Sequence, residues 1–341
     1  MARVGVIGGG AFGTAMACVL RRSGHDTAIW AREAEVVSAI NRDSANPVFL
    51  PGIRLVPGIA ATNELAAAAA ADFLVLAPPA QHMRAVTSEL RPLLKEGTPV
   101  VTCSKGIERG TCALMSQVIA ETLPAARVAV MSGPSFAAEI AVDLPAGVTL
   151  ACADRALGGQ LARAIGGPRF HIELSDDMIG THLGGALKNV FAIACGIATG
   201  RKLGASARSL LVARGLAELA RLGLAMGARV ETFMGLSGVG DLDLGCNSPM
   251  SRNMSLGIAL GEGRKLDDVL GERVTVQEGV FSAEAVAALA KRHDVEMPIA
   301  AAVDEVLNHG ADAREAIERL LSAPYRSCCV NGRPPLERRT R

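Results

Sequence analysis

Residues 3–13 read Arg-Val-Gly-Val-Ile-Gly-Gly-Gly-Ala-Phe-Gly, and a helical pattern follows at 14–22. The first five residues have the composition of a short buried strand. The glycines have the spacing of a dinucleotide-binding turn, in which a strand leads through a glycine loop into a helix. Gly8 would permit the tight turn, Gly10 the approach of a pyrophosphate, and Gly13 close packing of helix on strand. With phosphates at the helix N-terminus, this stretch predicts a Rossmann-type nucleotide site.

Further strand patterns, separated by helical ones, extend this arrangement. They lie at residues 26–30, 72–77, 99–102 and 127–131. Strands joined by helical crossovers form a mostly parallel, doubly wound sheet, which binds ligands at the carboxyl ends of its strands. The predicted fold class is therefore α/β.

The second half of the chain has a different pattern. Beyond about residue 175 the strand signals stop, and helical patterns follow at 178–199, 206–226, 249–261, 282–292, 298–308 and 312–321. The chain has 341 residues, half of them hydrophobic, which is enough for two cores. We therefore predict a Rossmann dinucleotide-binding domain at 1–175 and a mainly α-helical substrate and catalytic domain at 176–327. The tail at 328–341, rich in arginine, is expected to be disordered.

The end of the second predicted strand bears on the choice of coenzyme. An acidic residue at this place binds the ribose 2′-hydroxyl of NAD, whereas an arginine receives the 2′-phosphate of NADP. Here Arg32 is followed directly by Glu33. The sequence therefore leaves NADP and NAD both open.

A single lysine stands within a long apolar run. From His182 to Gly200, Lys188 is the only residue among Asp, Glu, Lys and Arg. A buried ammonium is costly unless it is paired or its pKa falls, and a lysine with a lowered pKa can exchange protons near neutrality. Lys188 is therefore a candidate proton donor and acceptor. The alternative is a lysine whose stem covers apolar surface while its head reaches water.

Three irregular segments carry further polar groups. Two follow predicted strands, at 103–108 and 132–139, and the third is a glycine-dense loop at 235–245 that holds Asp241 and Asp243. A loop so rich in glycine is costly to order, which points to a functional purpose.

A serine and a proline at 248–249 predict the start of a helix directly after that loop. Ser251, Arg252 and Asn253 then fall in or near its first turn. Free backbone amides, a hydroxyl, a guanidinium and an amide at this place would bind a phosphate group. The alternative is ordinary capping beside a surface arginine.

Composition excludes several classes of function. The net charge is +1, aromatic residues make up 3%, and no basic block lies within the predicted domains, so nucleic acid is not an expected partner. The eight cysteines form no CxxC pair and the six histidines no HExxH motif, so no metal site is expected. A strand pattern from residue 3 leaves no room for a signal peptide, and no segment has the pattern of a membrane span. We expect a soluble, cytoplasmic protein with reduced thiols.

Six motifs in order resemble those of the bacterial-type NAD(P)-dependent glycerol-3-phosphate dehydrogenase family, from Gly8 to about Tyr325. They are Gly-Gly-Gly-Ala-Phe-Gly (8–13), Ser-Lys-Gly-Ile-Glu (104–108), Ser-Gly-Pro-Ser-Phe-Ala-Ala-Glu (132–139), Leu-Lys-Asn (187–189), Gly-Leu-Ser-Gly-Val-Gly-Asp-Leu (235–242) and Ser-Arg-Asn (251–253). The resemblance implies reversible reduction of dihydroxyacetone phosphate to sn-glycerol 3-phosphate by NADPH or NADH, for phospholipid synthesis. It also implies a homodimer.

The same resemblance implies roles for individual residues. Lys188 looks like the general acid and base. The substrate contacts it implies are Lys105, Gly133, Ser135, Lys188, Asp241, Ser251, Arg252 and Asn253. With the glycine loop, the expected cofactor contacts are Gly8, Gly10, Ala11, Phe12, Gly13, Arg32, Lys105, Ala137, Arg252, Val276 and Glu278. Asp241 would hold either the lysine or a substrate hydroxyl.

This chain departs from the family pattern at two places. Ala11 replaces a common serine, which leaves the backbone amides to contact the cofactor, and Ser206 stands where an asparagine is usual. The role of the neighbouring Arg201-Lys202 stays open.

Two alternatives for the function of the protein remain: a hydroxy-acid dehydrogenase of the same two-domain plan, and a non-catalytic nucleotide-binding sensor.

Overall fold

The computed structural model describes residues 1–272 and 278–322. The predicted cofactor contact Val276 and the predicted disordered tail at 328–341 lie outside these ranges. The strands are β1 (Arg3–Ile7), β2 (Asp26–Trp30), β3 (Ala45–Asn46), β4 (Leu50–Arg54), β5 (Ala60–Thr62), β6 (Phe73–Leu76), β7 (Pro99–Thr102), β8 (Arg127–Ser132), β9 (Ala146–Ala151) and β10 (Phe170–Ser175).

The helices outnumber the strands and fill the second half of the chain. Those between the strands are α1 (Ala11–Arg22), α2 (Ala34–Asp43), α3 (Leu65–Ala69), α4 (Met83–Leu90), α5 (Met115–Thr122), α6 (Ala137–Ala141) and α7 (Arg155–Ile165). After β10 come α8 (Met178–Gly200), α9 (Gly204–Ala225), α10 (Val230–Met234), α11 (Asp241–Asn247), α12 (Arg252–Gly261), α13 (Leu266–Gly271), α14 (Glu278–Arg292), α15 (Pro298–Asn308) and α16 (Ala313–Ser322).

Eight strands form one sheet in the order β10-β9-β8-β7-β6-β1-β2-β5. Neighbours are parallel, except that β9 runs antiparallel to β8 and β10 then pairs with β9 in parallel. The central strands read as continuous apolar runs because helices cover both faces; all four residues of β6 are buried. The prediction of a Rossmann-type doubly wound sheet followed by helices is confirmed. The sequence patterns missed β5, β9 and β10 and with them the reversed edge.

Helix α8 is the centre of the helical part, and α9, α11, α12 and α14 pack around it. It meets α12 closely because both helices have glycine at the crossing: a Cβ on Gly196 would lie 2.2 Å from the Met254 carbonyl oxygen. Among the described residues, α8 alone is long and apolar enough to cross a membrane, but 83% of its most apolar window is buried within the protein. Helix α8 is therefore a core helix of the helical part.

The predicted division at residues 175 and 176 falls where the sheet gives way to helices. β10 ends at Ser175 and α8 begins at Met178, whose N-cap Asp177 accepts a hydrogen bond from the backbone amide of Gly180. The second oxygen of Asp177 accepts from Thr232 Oγ1 at 2.6 Å and so ties α8 to α10. Whether the two parts behave as separate domains stays a prediction.

Candidate active site

The glycine loop between β1 and α1 has the geometry that its sequence predicts. Gly8 has φ +121°, and a Cβ on it would lie 2.9 Å from the Ala77 carbonyl. A Cβ on Gly13 would lie 1.9 Å from the Gly8 oxygen, whereas a Cβ on Gly10 would meet no atom within 4 Å. Gly10 is the N-cap of α1 and has no side chain to cap the first amides. These amides and the open space beside them fit a pyrophosphate.

The other predicted cofactor residues in the sheet part flank this loop. Ala11 and Phe12 form the first turn of α1, and Ala137 begins α6, which packs against α1. Arg32 follows β2, with its side chain 79% exposed and 3.3 Å from a Glu33 oxygen. Asn63, which the sequence analysis missed, donates from Nδ2 to the Ala31 and Arg32 carbonyls and fixes the end of β2.

Two lysines converge on one buried aspartate near the ends of the central strands. Lys188 Nζ lies 2.8 Å from Asp241 Oδ1, and Lys105 Nζ lies 2.5 Å from Asp241 Oδ2. Asp241 is fully buried, and the lysine side chains are 12% and 17% exposed, in the same order. One carboxylate between two ammonium groups leaves a local charge of +1. The cluster can therefore attract an anion or stabilise a developing alkoxide.

Lys105 has the proton affinity of a group that titrates near neutrality. Burial lowers the pKa of Lys105 to about 8, with the nearby Lys188 ammonium acting in the same direction and Asp241 opposing both. Its ammonium also donates to the Gly133 carbonyl at 2.9 Å. That carbonyl accepts a second hydrogen bond from Ser135 Oγ at 2.8 Å, which places three predicted substrate contacts in one cluster.

Asp241 reaches the lysines from a segment that was predicted as a loop, and this prediction is wrong. Residues 236–240 form one π-helical turn that continues directly into α11. Its glycines allow close packing: a Cβ on Gly238 would lie 2.2 Å from the Phe233 carbonyl oxygen, and one on Gly184 of α8 only 1.9 Å from the Ser237 oxygen. The glycines therefore bring α11 against α8, so that Asp241 faces Lys188.

The predicted phosphate-binding residues stand at the start of α12. Ser251, rather than Ser248, is its N-cap, and Ser251 Oγ accepts from the Met254 amide at 3.3 Å. The helix begins later than predicted because residues 248–251 form a turn, closed by a hydrogen bond from the Ser251 amide to the Ser248 carbonyl at 3.0 Å. Asn253 donates to Asn189 Oδ1 at 2.9 Å and accepts from the Gly279 amide, whereas Arg252 is exposed.

Glu278 links the helices to the end of β6. Its Oε1 accepts from the Ala80 amide at 3.0 Å. Burial raises the pKa of Glu278, and the charge of nearby Arg252 opposes this shift. The structure thus brings Glu278 close to the loop that carries Lys105, and Arg252, the other predicted cofactor contact, close to Glu278.

Asn189 lies within the Leu-Lys-Asn motif but was not predicted as a site residue. Its Nδ2 donates to the Lys105 carbonyl at 3.2 Å, and its Oδ1 accepts from Asn253. It therefore connects the lysine cluster to the start of α12. Across residues 1–272 and 278–322, no group of three or more His, Cys, Asp or Glu is placed to hold a metal ion.

Two family models match this chain, one for each part. The NAD-dependent glycerol-3-phosphate dehydrogenase N-terminus matches residues 3–158, and the C-terminus of the same family matches residues 177–318. A glycerol-3-phosphate dehydrogenase [NAD(P)+] of Parvibaculum lavamentivorans is 55% identical over 95% of this chain and 98% of its own length. The corresponding protein of Caulobacter vibrioides is 52% identical over 95% of this chain and 98% of its own length.

Solved structures agree with these sequence relatives. The crystal structure of glycerol-3-phosphate dehydrogenase from Coxiella burnetii superposes with a TM-score of 0.91 at 35% identity. The match covers 94% of this chain and 99% of the other. With its glycine loop, its lysine cluster and these relatives, the chain belongs to the NAD-dependent glycerol-3-phosphate dehydrogenase family.

Proposed function

We propose that this protein is an NAD(P)-dependent glycerol-3-phosphate dehydrogenase, which interconverts dihydroxyacetone phosphate and sn-glycerol 3-phosphate. The observation that carries the proposal is the pairing of Lys188 and Lys105 with Asp241 beside a Rossmann sheet. The family relatives support the phosphorylated substrate over a hydroxy acid, and the intact lysine cluster argues against a non-catalytic sensor.

The nicotinamide cofactor, when bound, supplies the hydride for reduction or accepts it for oxidation. The protein must then orient the ketone and deliver a proton to the carbonyl oxygen. Lys188, as an ammonium, polarises that oxygen and gives up its proton; in the reverse direction its amine takes the hydroxyl proton. Asp241 holds the ammonium and stabilises its charge.

The second lysine adds a source of protons. Lys105 shares Asp241 with Lys188, so the carboxylate can pass a proton from one ammonium to the amine of the other. Because the pKa of Lys105 is about 8, this lysine can lose and regain its proton near neutral pH. The residual positive charge stabilises the alkoxide as it forms.

The start of α12 serves the other end of the substrate. Arg252 and Asn253, with the first backbone amides of α12, hold the substrate phosphate. Asn189 fixes the distance between this end and Lys188, since it hydrogen-bonds Asn253 and follows Lys188 in the chain. Binding of the remote phosphate then positions the carbonyl at the lysine.

Arg32 supports the use of NADP as well as NAD. Its exposed guanidinium stands at the end of β2, where the 2′-phosphate of NADP would lie. Glu33 beside it can accept a hydrogen bond from the free ribose 2′-hydroxyl of NAD. A homodimer and a cytoplasmic location are further proposals, supported by the family resemblance; light scattering of the purified protein and cell fractionation test them.

The test is steady-state oxidation of NADPH and, separately, NADH with dihydroxyacetone phosphate. We expect rapid turnover, and the ratio of the two kcat/KM values gives the preference between NADPH and NADH. Turnover with a 2-keto acid but not with the phosphorylated ketone would overturn the substrate assignment. Nucleotide binding without any turnover would favour the sensor.

A further inference from the structure

One face of α8 holds the backbone of the Lys105 loop. His182, Gly185 and Asn189 are spaced three and four residues apart and so share that face. His182 Nε2 lies 2.8 Å from the Gly106 carbonyl oxygen, while Asn189 Nδ2 donates to the preceding carbonyl, that of Lys105. Between them, a Cβ on Gly185 would lie 3.3 Å from Lys105 Cγ. His182 and Asn189 thus hydrogen-bond the carbonyl groups of two consecutive residues, and Gly185, which has no side chain, allows the Lys105 side chain to pack between them.

The hydrogen bond to Gly106 fixes the protonation of His182. A carbonyl oxygen only accepts, so Nε2 at 2.8 Å must carry the hydrogen. The ring is 2% exposed, and burial lowers the pKa of His182 to about 4, so it is neutral at physiological pH. Nδ1 then has a lone pair, and it finds no hydrogen-bond partner in residues 1–272 and 278–322. The Met115 amide N–H also points toward Nε2, at 3.3 Å, but a protonated Nε2 cannot accept this longer hydrogen bond.

We propose that His182 is a positioning residue, which places Lys105 for the reaction by holding the Gly106 carbonyl. The inference rests on the proposed function. His182 is not among the predicted site residues. It touches neither Asp241 nor the other charged groups of the cluster, and it acts through the backbone of the loop.

The loop has little freedom as long as this bond is made. A Cβ on Gly106 would lie 2.5 Å from the Ala80 Cβ, so the peptide is pressed between α8 and the segment after β6. Without a donor at 182, the buried carbonyl loses its partner and the loop moves toward water to regain one. The Lys105 ammonium then moves away from its hydrogen-bond partners, Asp241 and the Gly133 carbonyl.

A movement of the loop toward water would change the pKa of Lys105 in a direction that can be measured. The groups that face Lys105 are Asp241 of α11, Lys188 of α8 and Cys103 after β7. Burial is the largest influence on Lys105 and lowers its pKa to about 8. A loop that opens to water relieves the burial, so the pKa of Lys105 rises toward its ordinary value.

The experiment compares His182→Leu, which removes the donor, with His182→Gln, whose amide can still donate to Gly106. Thr181→Val is the matched control, because Thr181 is fully buried on the same helix and its Oγ1 has no partner in the described part of the chain. The first readout is the pH midpoint for acylation of the Lys105 amine in the ligand-free protein, measured by peptide mass spectrometry. We expect a midpoint near 8 in wild type, Thr181→Val and His182→Gln, and a higher midpoint in His182→Leu.

The second readout is kcat/KM for dihydroxyacetone phosphate in a cycle with Lys105→Ala. We expect His182→Leu to lower kcat/KM on the order of 100-fold in the wild-type background. In the Lys105→Ala background we expect little further loss, because the residue that His182 positions is already absent. A purely structural role would give equal losses in both backgrounds and would overturn the proposal.

If His182→Leu does not fold, His182→Asn takes its place, because its amide is too short to reach Gly106; an unchanged Lys105 midpoint in that folded variant would overturn the proposal. The acylation measurement needs no turnover, so a wild-type protein inactive on dihydroxyacetone phosphate would refute the proposed function while the midpoints still decide the role of His182.

Discussion

At the scale of single residues, the sharing of Asp241 explains why two lysines can be buried together. Each ammonium would pay a desolvation cost alone, and the two would repel each other. The carboxylate between them, with its two oxygens at 2.8 and 2.5 Å, offsets both costs. The chemistry of the site therefore depends on the trio rather than on Lys188 alone.

Lys188→Ala should greatly reduce turnover while keeping the nucleotide site. We expect a loss of kcat on the order of 10²- to 10⁴-fold, the usual size of a general acid–base contribution, because no other group is held at the same place. NADPH affinity, measured by fluorescence titration, should change little. Lys202→Ala, an exposed lysine just beyond α8, is the control and should behave as wild type. Substantial reduction by the Lys188→Ala variant at saturating ketone would rule out the assigned role.

Asp241→Asn should lower the pKa of Lys105 below about 8. Asp241 raises that pKa, so its removal leaves burial and the nearby ammonium acting together. The acylation midpoint of Lys105 should therefore fall, and kcat/KM should fall on the order of 100-fold or more. Asp243→Asn is the matched control, since Asp243 is exposed two residues away. An unchanged or higher midpoint in Asp241→Asn would contradict this account of the trio.

At the scale of elements, a buried carboxylate joins α9 to α15. Glu218 is 2% exposed, and its oxygens accept from the Ile299 and Ala300 amides at 2.8 and 3.3 Å. It thus caps the first turn of α15, at the two amides that follow Pro298. Burial raises the pKa of Glu218 to about 7, although both amides and the nearby Arg221 and Arg214 oppose the shift.

This shift predicts how stability depends on pH. The folded state keeps the proton of Glu218 up to about pH 7, whereas the unfolded chain loses it near the ordinary value of 4.5. The contribution of Glu218 to stability is therefore greatest below pH 4.5 and is lost as the pH rises toward 7. Glu218→Gln lacks this loss, so its free energy of unfolding relative to wild type should rise by on the order of 3 kcal/mol from pH 5 to pH 8.

Chemical denaturation of both proteins at the two pH values measures this difference. Glu35→Gln, at an exposed glutamate of α2, controls for the loss of a charge. Parallel pH dependences for wild type and Glu218→Gln would show that Glu218 does not carry the proton.

At the scale of the whole molecule, ligand binding should stabilise the fold through the glycine loop. Any ligand that binds only the folded state raises its stability, by about 2.7 kcal/mol at 100 times Kd. We therefore expect saturating NADPH to raise the unfolding temperature of the wild-type protein. Gly10→Val should abolish this rise and leave the ligand-free protein close to wild type, because Gly10 has φ −68° and a Cβ there meets no protein atom within 4 Å.

Gly13→Val is the contrasting variant for scanning calorimetry. Its Cβ would lie 1.9 Å from the Gly8 oxygen, so the ligand-free protein itself should be destabilised. A normal NADPH response in Gly10→Val would place the pyrophosphate somewhere other than the first turn of α1.

The features that depend on local pattern could be predicted from the residues alone. The apolar run at β1 and the glycines after it predict the Rossmann turn. Beyond 175, the predicted helices match α8, α9, α15 and α16 within one or two residues, whereas α12 begins three residues later and α14 four residues earlier than predicted. These succeed because neighbouring residues alone fix periodicity and backbone conformation. The glycine-dense segment before Asp241 failed as a loop because its glycines serve close packing on α8, which no local pattern reveals.

The assembly of the site depends on contacts between residues far apart in the chain. Asp241 meets Lys188 across 53 residues and Lys105 across 136, and His182 reaches Gly106 across 76. The sequence left open whether Asp241 holds a lysine, and the fold shows that it holds two. Such pairings follow from strand order and helix crossing, which bring distant residues together. The resulting burial then sets the pKa of Lys105 and the neutral state of His182.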